Sequence, residues 1–531
     1  MDMKFFLFTL MIGCNIDAYN ILIIQPGPSF SQQQPALGLA EILVKNGHNV
    51  FAVALSEVPD LGSNYTYVDL SFSYKFQKGG VDAKASKDAA NMQKQMTLWQ
   101  FTDVVHAVAK IPPRQFRSEQ FLHFLRRVKK ENLRFDVVIG QWYFTPFVCG
   151  MARYMASPGP TPPLISLSTH AKNLYNEEAA GSLLHPSFVP YETPYTDRMS
   201  IWQKIHNWVI AQVLIPRWKD ILDESARRFF QETYGQEFAS MADDCWGNVS
   251  LMLNTGNFLH SYPRPLAPNV IEIGPLHIQK PQVLPKVLQD WLDGADKGVI
   301  YFSLGSNMRS KSLSLEIREN LLRVFSELPR GYRVLWKWEL PGKIPGQSDN
   351  ILAQAWVPQQ SVLAHPKVKV YVMQGGFQSF QEAIHYGVPI VGIPWFIDQE
   401  ANIAKIVAAG IGIRLRPQEL HSEDNIKEAI NKVLFDESFA ENMRKLSTIS
   451  HDFTSQSATK AVFWIEHVAK HGGAPHLRPS TADANYFQYF CLDLISVILI
   501  IGFTASYIFV KGAKFLISML SSKLKSKMKK S

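Results

Sequence analysis

Two doubly wound α/β domains, each a parallel sheet with helices on both faces, are the fold class that this 531-residue sequence predicts. Three observations predict it. Short apolar runs alternate with longer helical patterns through the first half, and strand–helix–strand repetition implies parallel pairing. A proline-rich stretch, "YPRPLAPNVIEIGPLHIQKPQVLP" (262–285), then breaks the pattern. Proline fixes φ and leaves little regular pairing, which is linker chemistry. The alternation restarts at "VIYFSLGS". The length exceeds one ordinary domain, and an apolar fraction of 46% suffices for two cores.

The chain opens with Lys4 ahead of an apolar run from Phe5 to Cys14, and the small Ala18 completes the form of a secretory signal peptide over residues 1–18. That run is too short to span a bilayer. A buried first strand is the alternative, but a better strand, "YNILII", follows at Tyr19. Strands are expected at Ile21–Ile24, Val50–Leu55, Val137–Ile139, Leu164–Leu167 and Leu251–Leu253. "QPALGLAEILVKNGHNV", between the first two, has a helical period that stops at Gly47, with His48 as a turn residue. The expected organisation is an N-terminal domain over 19–275, a linker over 276–297 and a C-terminal domain over 298–460. "YRVLWKW", "KVYVMQGG" and "PIVGIPW" are further strands of the second sheet, and a return helix and juxtamembrane segment take up 461–490.

"LISVILIIGFTASYIFV", Leu494 to Val510, lies between Asp493 and Lys511 inside an expected transmembrane helix over 491–511. The lysines beyond it mark residues 512–531 as a cytoplasmic basic tail, which puts the body on the far side of the membrane. Lys527 and Lys529 near the end of "KMKKS" resemble a dilysine signal for retrieval to the endoplasmic reticulum; attraction of the tail to anionic lipid is the alternative. The sequons "NYT" at Asn64 and "NVS" at Asn248 fit a luminal, glycosylated body.

The last 21 residues also account for the net charge of +8: Lys511, Lys514, Lys523, Lys525, Lys527, Lys529 and Lys530 lie in them without an acid, leaving the other 510 residues near +1. A nearly neutral body has no electrostatic footprint for nucleic acid. Four cysteines, Cys14, Cys149, Cys245 and Cys491, make neither a disulfide framework nor a metal site, a bridge between Cys149 and Cys245 being the minor alternative.

Open parallel sheets bind ligands at the carboxyl ends of their strands. In the second domain "SLGSN" puts Gly305 and Ser306 at one such end, and "MQGGFQS" puts Gly375 and Gly376 at another. Glycine admits close backbone approach, and the N–H groups at a helix start attract phosphate. Each turn alone fits an ordinary βα connection equally well, whereas two facing one cleft favour phosphate. No Walker lysine and no dinucleotide fingerprint is present.

"WVPQQSVLAHPKVKVYVMQGGFQSFQEAIHYGVPIVGIPWFIDQE", Trp356 to Glu400, closely resembles the donor-binding signature of the UDP-glycosyltransferase family, which includes the UDP-glucuronosyltransferases, and is most similar to its insect membrane-bound branch. "FSLGSN", "YRVLWKWE" and "NVSLMLNTGNFLHSYPRPLAPNVIEIGPLHI" extend the resemblance to nearly the whole chain. It implies the GT-B fold, with two Rossmann-like domains facing a cleft, and transfer of a sugar from a UDP-sugar to a small lipophilic acceptor at the membrane of the endoplasmic reticulum. UDP-sugar would be a co-substrate, without cofactor or metal, and assembly with itself or with related transferases stays open.

Carried onto this chain, the resemblance implies that Trp356 stacks on uracil, that Gln359 and Glu382 bond the ribose, and that Gly305, Ser306, Gly375, Gly376 and Ser379 hold the diphosphate. Asp398 and Gln399 would bond sugar hydroxyls. Each residue also has a structural alternative: "SFQE" fits a helix capping box ending at Glu382, Trp356 a core position, Asp398 a helix cap. His365 and His385 read as structural.

Three departures stand out. Gln374 occupies the place of the usual histidine before the two glycines and brings a donor without charge. Counting along the family pattern, the general base falls on Gln32 and the carboxylate that orients it on Gln141. An amide cannot accept a proton at neutral pH. Three readings follow: transfer to acidic phenols that need little help, a substitute base such as His170 in "LSTHAKN", or UDP-sugar or lipophile binding without chemistry, as a partner of active relatives. Aromatic "QWYFTPF" (141–147) and "SLLHPSFVPYETPYTDRMSIWQKIHNW" (182–208) suit either a flat apolar guest or a membrane surface.

Overall fold

Strands such as "VVIGQ" and "VIYFS" are apolar at nearly every position, the pattern of a parallel sheet covered on both faces. In the computed structural model, which describes residues 18–75, 95–172, 174–182 and 185–528, they are buried accordingly. The signal-peptide run and Lys529–Lys530 lie outside the described residues. Residues up to Arg478 make one unit and residues from Pro479 a second.

The first sheet has seven strands in the order β3-β2-β1-β4-β5-β6-β7, all parallel. β1 (Asn20–Ile24) leads into α1 (Phe30–Lys45), followed by β2 (Asn49–Ala54), β3 (Tyr65–Asp69), β4 (Val137–Gln141) and β5 (Leu164–Ser168). Helices α2 (Ile201–Val209) and α3 (Ile215–Tyr234) precede β6 (Val249–Asn254) and β7 (Val270–Glu272). The second sheet, in the order β10-β9-β8-β11-β12-β13, repeats the plan. Its strands are β8 (Gly298–Ser303), β9 (Tyr332–Lys337), β10 (Ile351–Gln354), β11 (Val368–Met373), β12 (Ile390–Gly392) and β13 (Gly412–Arg414). α4 (Gln359–Leu363) precedes β11, α5 (Phe377–Tyr386) follows it, and α6 (Ile397–Ala408) follows β12. Both sheets reverse direction of growth at one point, between β1 and β4 and between β8 and β11. A crevice opens there at the carboxyl ends.

The expected strands are all present. Four more, β3, β7, β10 and β13, escaped sequence reading, and each lies at a sheet edge. β7 corrects one expectation: Val270–Glu272, inside the proline-rich stretch, pairs with β6 instead of running as unpaired linker. The segment after it is also partly regular, since Lys286–Asp293 is helical and buries Leu288 and Leu292 against the second sheet.

Helix α7 (Glu437–His471) runs 35 residues without a break at position 460. Its first half packs on α5, and its second half buries Ala461, Val462, Ile465 and Val468 with Ile21, Ile139 and Leu251 of the first sheet. A second correction concerns cysteine: Cys149 and Cys245, both buried, are joined by a disulfide across 96 residues.

In the second unit, α8 (Leu492–Met528) is long and apolar enough to cross a membrane. Its 37 residues make about 55 Å at 1.5 Å each, against about 30 Å of hydrocarbon, so the lysine-bearing end continues as helix beyond the apolar run.

Candidate functional site

The carboxyl ends of β8 and β11 meet at a cavity of about 400 Å3. Gly305 and Gly375 have φ of 77° and 92°, backbone that disfavours a side chain. Packing adds to this most at Gly375, where a Cβ would also stand 3.0 Å from the Gln399 carbonyl oxygen. A Cβ at Gly305 would stand 2.6 Å from Gln374 Nε2, and one at Gly375 2.8 Å from Ile403 Cδ1. The buried Gln374 side chain thus lies across both turns, and its Oε1 has no partner among the described residues. Gly376 begins α5 without a capping side chain, so the first N–H groups of that helix are left for a ligand.

Gly305, Ser306, Trp356, Gln359, Gln374, Gly376, Ser379 and Glu382 all line this one cavity. Trp356 is 63% exposed, so it is no core residue, and its edge meets Phe30 of α1 at 5.5 Å between ring centroids. The capping-box alternative for "SFQE" is also excluded, because α5 starts at Phe377 and Ser379–Glu382 lie inside it. Glu382 instead accepts from Gln359 Nε2 at 2.7 Å, and its other oxygen is 3.4 Å from His277 Nε2. Gln359 spends its whole amide: Nε2 also donates to Ser379 Oγ (2.9 Å), while Oε1 accepts from Tyr301 and Tyr371 hydroxyls (3.2 and 2.9 Å). Two core tyrosines therefore fix Gln359, which fixes Glu382.

Gly375, Asp398 and Gln399 do not line the cavity. Gly375 turns its carbonyl to Asn402 Nδ2 at 2.9 Å. Gln399 Oε1 accepts from the Trp395 and Phe396 N–H groups, which makes it the staple of the α6 start. Asp398 sits in the first turn of α6, where burial raises its pKa to about 6.

Lys337 was not singled out by sequence reasoning. It ends β9, is nearly buried, lines the cavity and donates to Gly305 O at 2.8 Å. It places a positive charge where Gln374 has none. The only hint in sequence is a lysine at the end of an otherwise apolar strand.

In the first lobe the two glutamines do come together. Gln141 Oε1 accepts from Gly27 N at 2.7 Å, and its Nε2 donates to Gln32 Oε1 at 3.2 Å. A backbone N–H requires an acceptor, so it sets the sense of the chain, and Gln32 is left with an amide NH2 to present elsewhere. Neither end can take a proton. His170 is 3.2 Å from Trp142 Nε1, which donates to its Nδ1, and burial lowers its pKa. The neutral ring then carries its proton on Nε2, so His170 as held here is no base; this corrects the expectation that it substitutes for one. His48 is buried between Tyr19 N and Glu466 and is more than a turn residue. His365, bonded to Asp293, and His385, packed on His451, are structural.

Trp142 and Phe144 are buried in the first core, so "QWYFTPF" packs inward, whereas Ile201, Trp202 and Trp208 are exposed. Asn64 and Asn248 are exposed just before β3 and β6, at the amino edge of the first sheet, opposite the edge that forms the crevice.

Solved structures share this architecture. A complex between a UDP-glucosyltransferase from Polygonum tinctorium capable of glucosylating indoxyl and 3,4-dichloroaniline superposes with a TM-score of 0.57, covering 88% of this chain and 99% of that one at 16% identity. In sequence the chain is 29% identical to UDP-glucosyltransferase 2 of Dactylopius coccus over 506 residues, 93% of this chain and 92% of the relative. It is 32% identical to human UDP-glucuronosyltransferase 2B7 over 397 residues, 74% and 72% of the two chains. The family model for UDP-glucoronosyl and UDP-glucosyl transferases matches residues 28–529. With two Rossmann-ordered sheets, a cavity at their carboxyl ends and this match along nearly its whole length, the chain belongs to the UDP-glycosyltransferase family and transfers sugar from a UDP-sugar.

Proposed function

We propose that the protein transfers a hexosyl group, glucose, from its UDP-sugar to a small lipophilic phenol at the luminal face of the endoplasmic reticulum membrane. In this reading Trp356 stacks on uracil and Glu382, held by Gln359, bonds the ribose. The Gly305–Ser306 and Gly375–Gly376 turns with Ser379, Gln374 and Lys337 hold the diphosphate. Asp398 bonds the hexose, and Gln399 shapes the turn that carries it. The observation that carries the reading is the convergence of both glycine turns, Trp356 and Glu382 on one cavity.

Glucose is supported by the name of the Dactylopius coccus relative, and the luminal side by the buried disulfide, the two exposed sequons and the lysines that follow the apolar helix. The phenol is supported by the Gln32–Gln141 chain, which offers no base. Free phenols titrate near ~10 and acidic ones lower, so they supply a nucleophile that aliphatic alcohols cannot. A domain division at 275 and 298 assigns the acceptor to the first lobe and the donor to the second.

The same glutamine pair supports a second reading: a UDP-sugar or lipophile binder that assists active relatives without turnover. Calorimetry with UDP-glucose, UDP-glucuronate and UDP-galactose, followed by UDP release with phenols and aliphatic alcohols, separates the two. Binding of UDP-glucose with turnover on phenols alone is the expected result. Binding without turnover on any acceptor establishes the second reading, and no binding of any uridine sugar overturns both.

A further inference from the structure

Helix α2 is pinned on one side and bare on the other. Asn207, fully buried, donates from Nδ2 to the Pro186 and Val189 carbonyls at 2.7 Å each, and its Oδ1 accepts from Tyr191 N at 2.7 Å. Ile210, Ala211 and Leu214 continue that buried side through five π-helical residues into α3. The opposite side carries Ile201, Trp202, Ile205, Trp208 and Val213, all exposed; Trp202 is 76% and Ile201 65% exposed. The spacing is one helical face, and Phe188 extends it, exposed under the Lys204 ammonium at 5.3 Å. Arg198 and Arg217 flank the face, with Asp197 and Asp220 as the acids nearest in sequence.

An exposed apolar face of this size needs a partner. Its composition selects one. Tryptophan favours the boundary between lipid and water, and a helix with an apolar face and basic flanks lies in that plane. Lysine and arginine snorkel toward anionic headgroups, as Lys204 is placed to do. The same chain carries α8, a helix long and apolar enough to cross a membrane. We infer that α2 is a second membrane contact, lying in the lipid interface through Ile201, Trp202, Ile205 and Trp208. This holds whichever acceptor the enzyme uses.

The span itself contains no tryptophan, so every tryptophan of the full chain reports on the body. The full-length protein in phosphatidylcholine–phosphatidylserine vesicles, with bromine on the acyl chain close to the glycerol, is expected to lose up to about a sixth of its emission, the share of two in 12 tryptophans. Trp202→Ser with Trp208→Ser should abolish most of that loss. Ile201→Glu with Ile205→Glu, which keeps both reporters, should do the same, and retained UDP-sugar binding shows that each variant is folded. Emission indifferent to bromine, or quenching unchanged in both variants, overturns the inference. A fall in particle mass with quenching unchanged overturns it too, by assigning the face to a second copy of the chain.

Discussion

Restoring a base should require two substitutions, because the backbone decides which way the amide chain points. Gln141 Oε1 is committed to Gly27 N–H, so its Nε2 must donate to whatever stands at position 32. With Gln32→His alone, the imidazole accepts at one nitrogen and carries its proton on the other, the one turned away from Gln141. That is the wrong tautomer for taking a proton. Gln141→Glu keeps the side-chain length and gives two acceptor oxygens, one for Gly27 N–H and one for the imidazole N–H. The double variant Gln32→His/Gln141→Glu therefore presents a basic nitrogen outward, stabilised as an imidazolium by the carboxylate. A positioned general base contributes ~10²–10⁴-fold. The expected kcat/KM on aliphatic alcohols rises by about that factor in the double variant and by less than about tenfold in Gln32→His. The double variant's rate should also climb with pH through the histidine range near ~6.5. The assay is UDP release at saturating UDP-sugar, with the donor Kd measured alongside. If Gln32→His alone matches the double variant, the tautomer argument is refuted. If the double variant binds donor normally yet gains nothing, the missing base does not limit this enzyme.

Trp356→Ala should weaken UDP binding by about 1–3 kcal/mol, roughly 10–100-fold in Kd, the worth of stacking a base. Its Tm should hardly move, because the ring is 63% exposed; calorimetry and a thermal melt check both. Gly375→Ala should cost about 1–3 kcal/mol of stability in denaturant titration, since a Cβ meets Ile403 and the φ of 92° is strained for alanine. Burial raises Asp398 to about 6, against roughly 3.9 for a free carboxyl, so the folded chain binds more protons between those values and its stability falls as pH rises through that window. Hexose affinity moves the other way: the carboxylate is charged only above about 6, so UDP-glucose should bind more weakly as pH drops below it. UDP alone should not follow that trend, and Asp398→Asn should remove it.

The sequence was most informative where one residue type satisfies both packing and chemistry. Gly305 and Gly375 were legible because positive φ and close approach admit little else. Central strands were legible because burial on both faces leaves an unbroken apolar run, while β7 and β13, three residues each at a sheet edge, leave almost none. The meeting of Gln32 with Gln141, 109 residues apart, could be reached only by counting along a family pattern. Lys337 went unread and the disulfide stood only as the minor alternative for one reason: each depends on which chain segments the fold sets side by side, and no local spacing records that.

The two halves of the crevice differ in how their polar groups are tied down, and this bears on whether paired glutamines mean a failed site. Around the nucleotide end, Gln359 joins Tyr301, Tyr371, Ser379 and Glu382, so changing any one of them leaves buried donors or acceptors without partners. Such orphans cost about 1–3 kcal/mol each. The first-lobe pair is an open run instead: Gly27 N–H donates to Gln141, Gln141 donates to Gln32, and the Gln32 NH2 group faces elsewhere. A histidine beside Gln141 would also accept from that amide, but with its own proton turned outward, so the hydrogen bond would be met and the base would not. Two amides whose donors and acceptors run in one sense form an ordered chain with an NH2 group at its end. That order supports the proposed reading, in which the acceptor brings its own acidity.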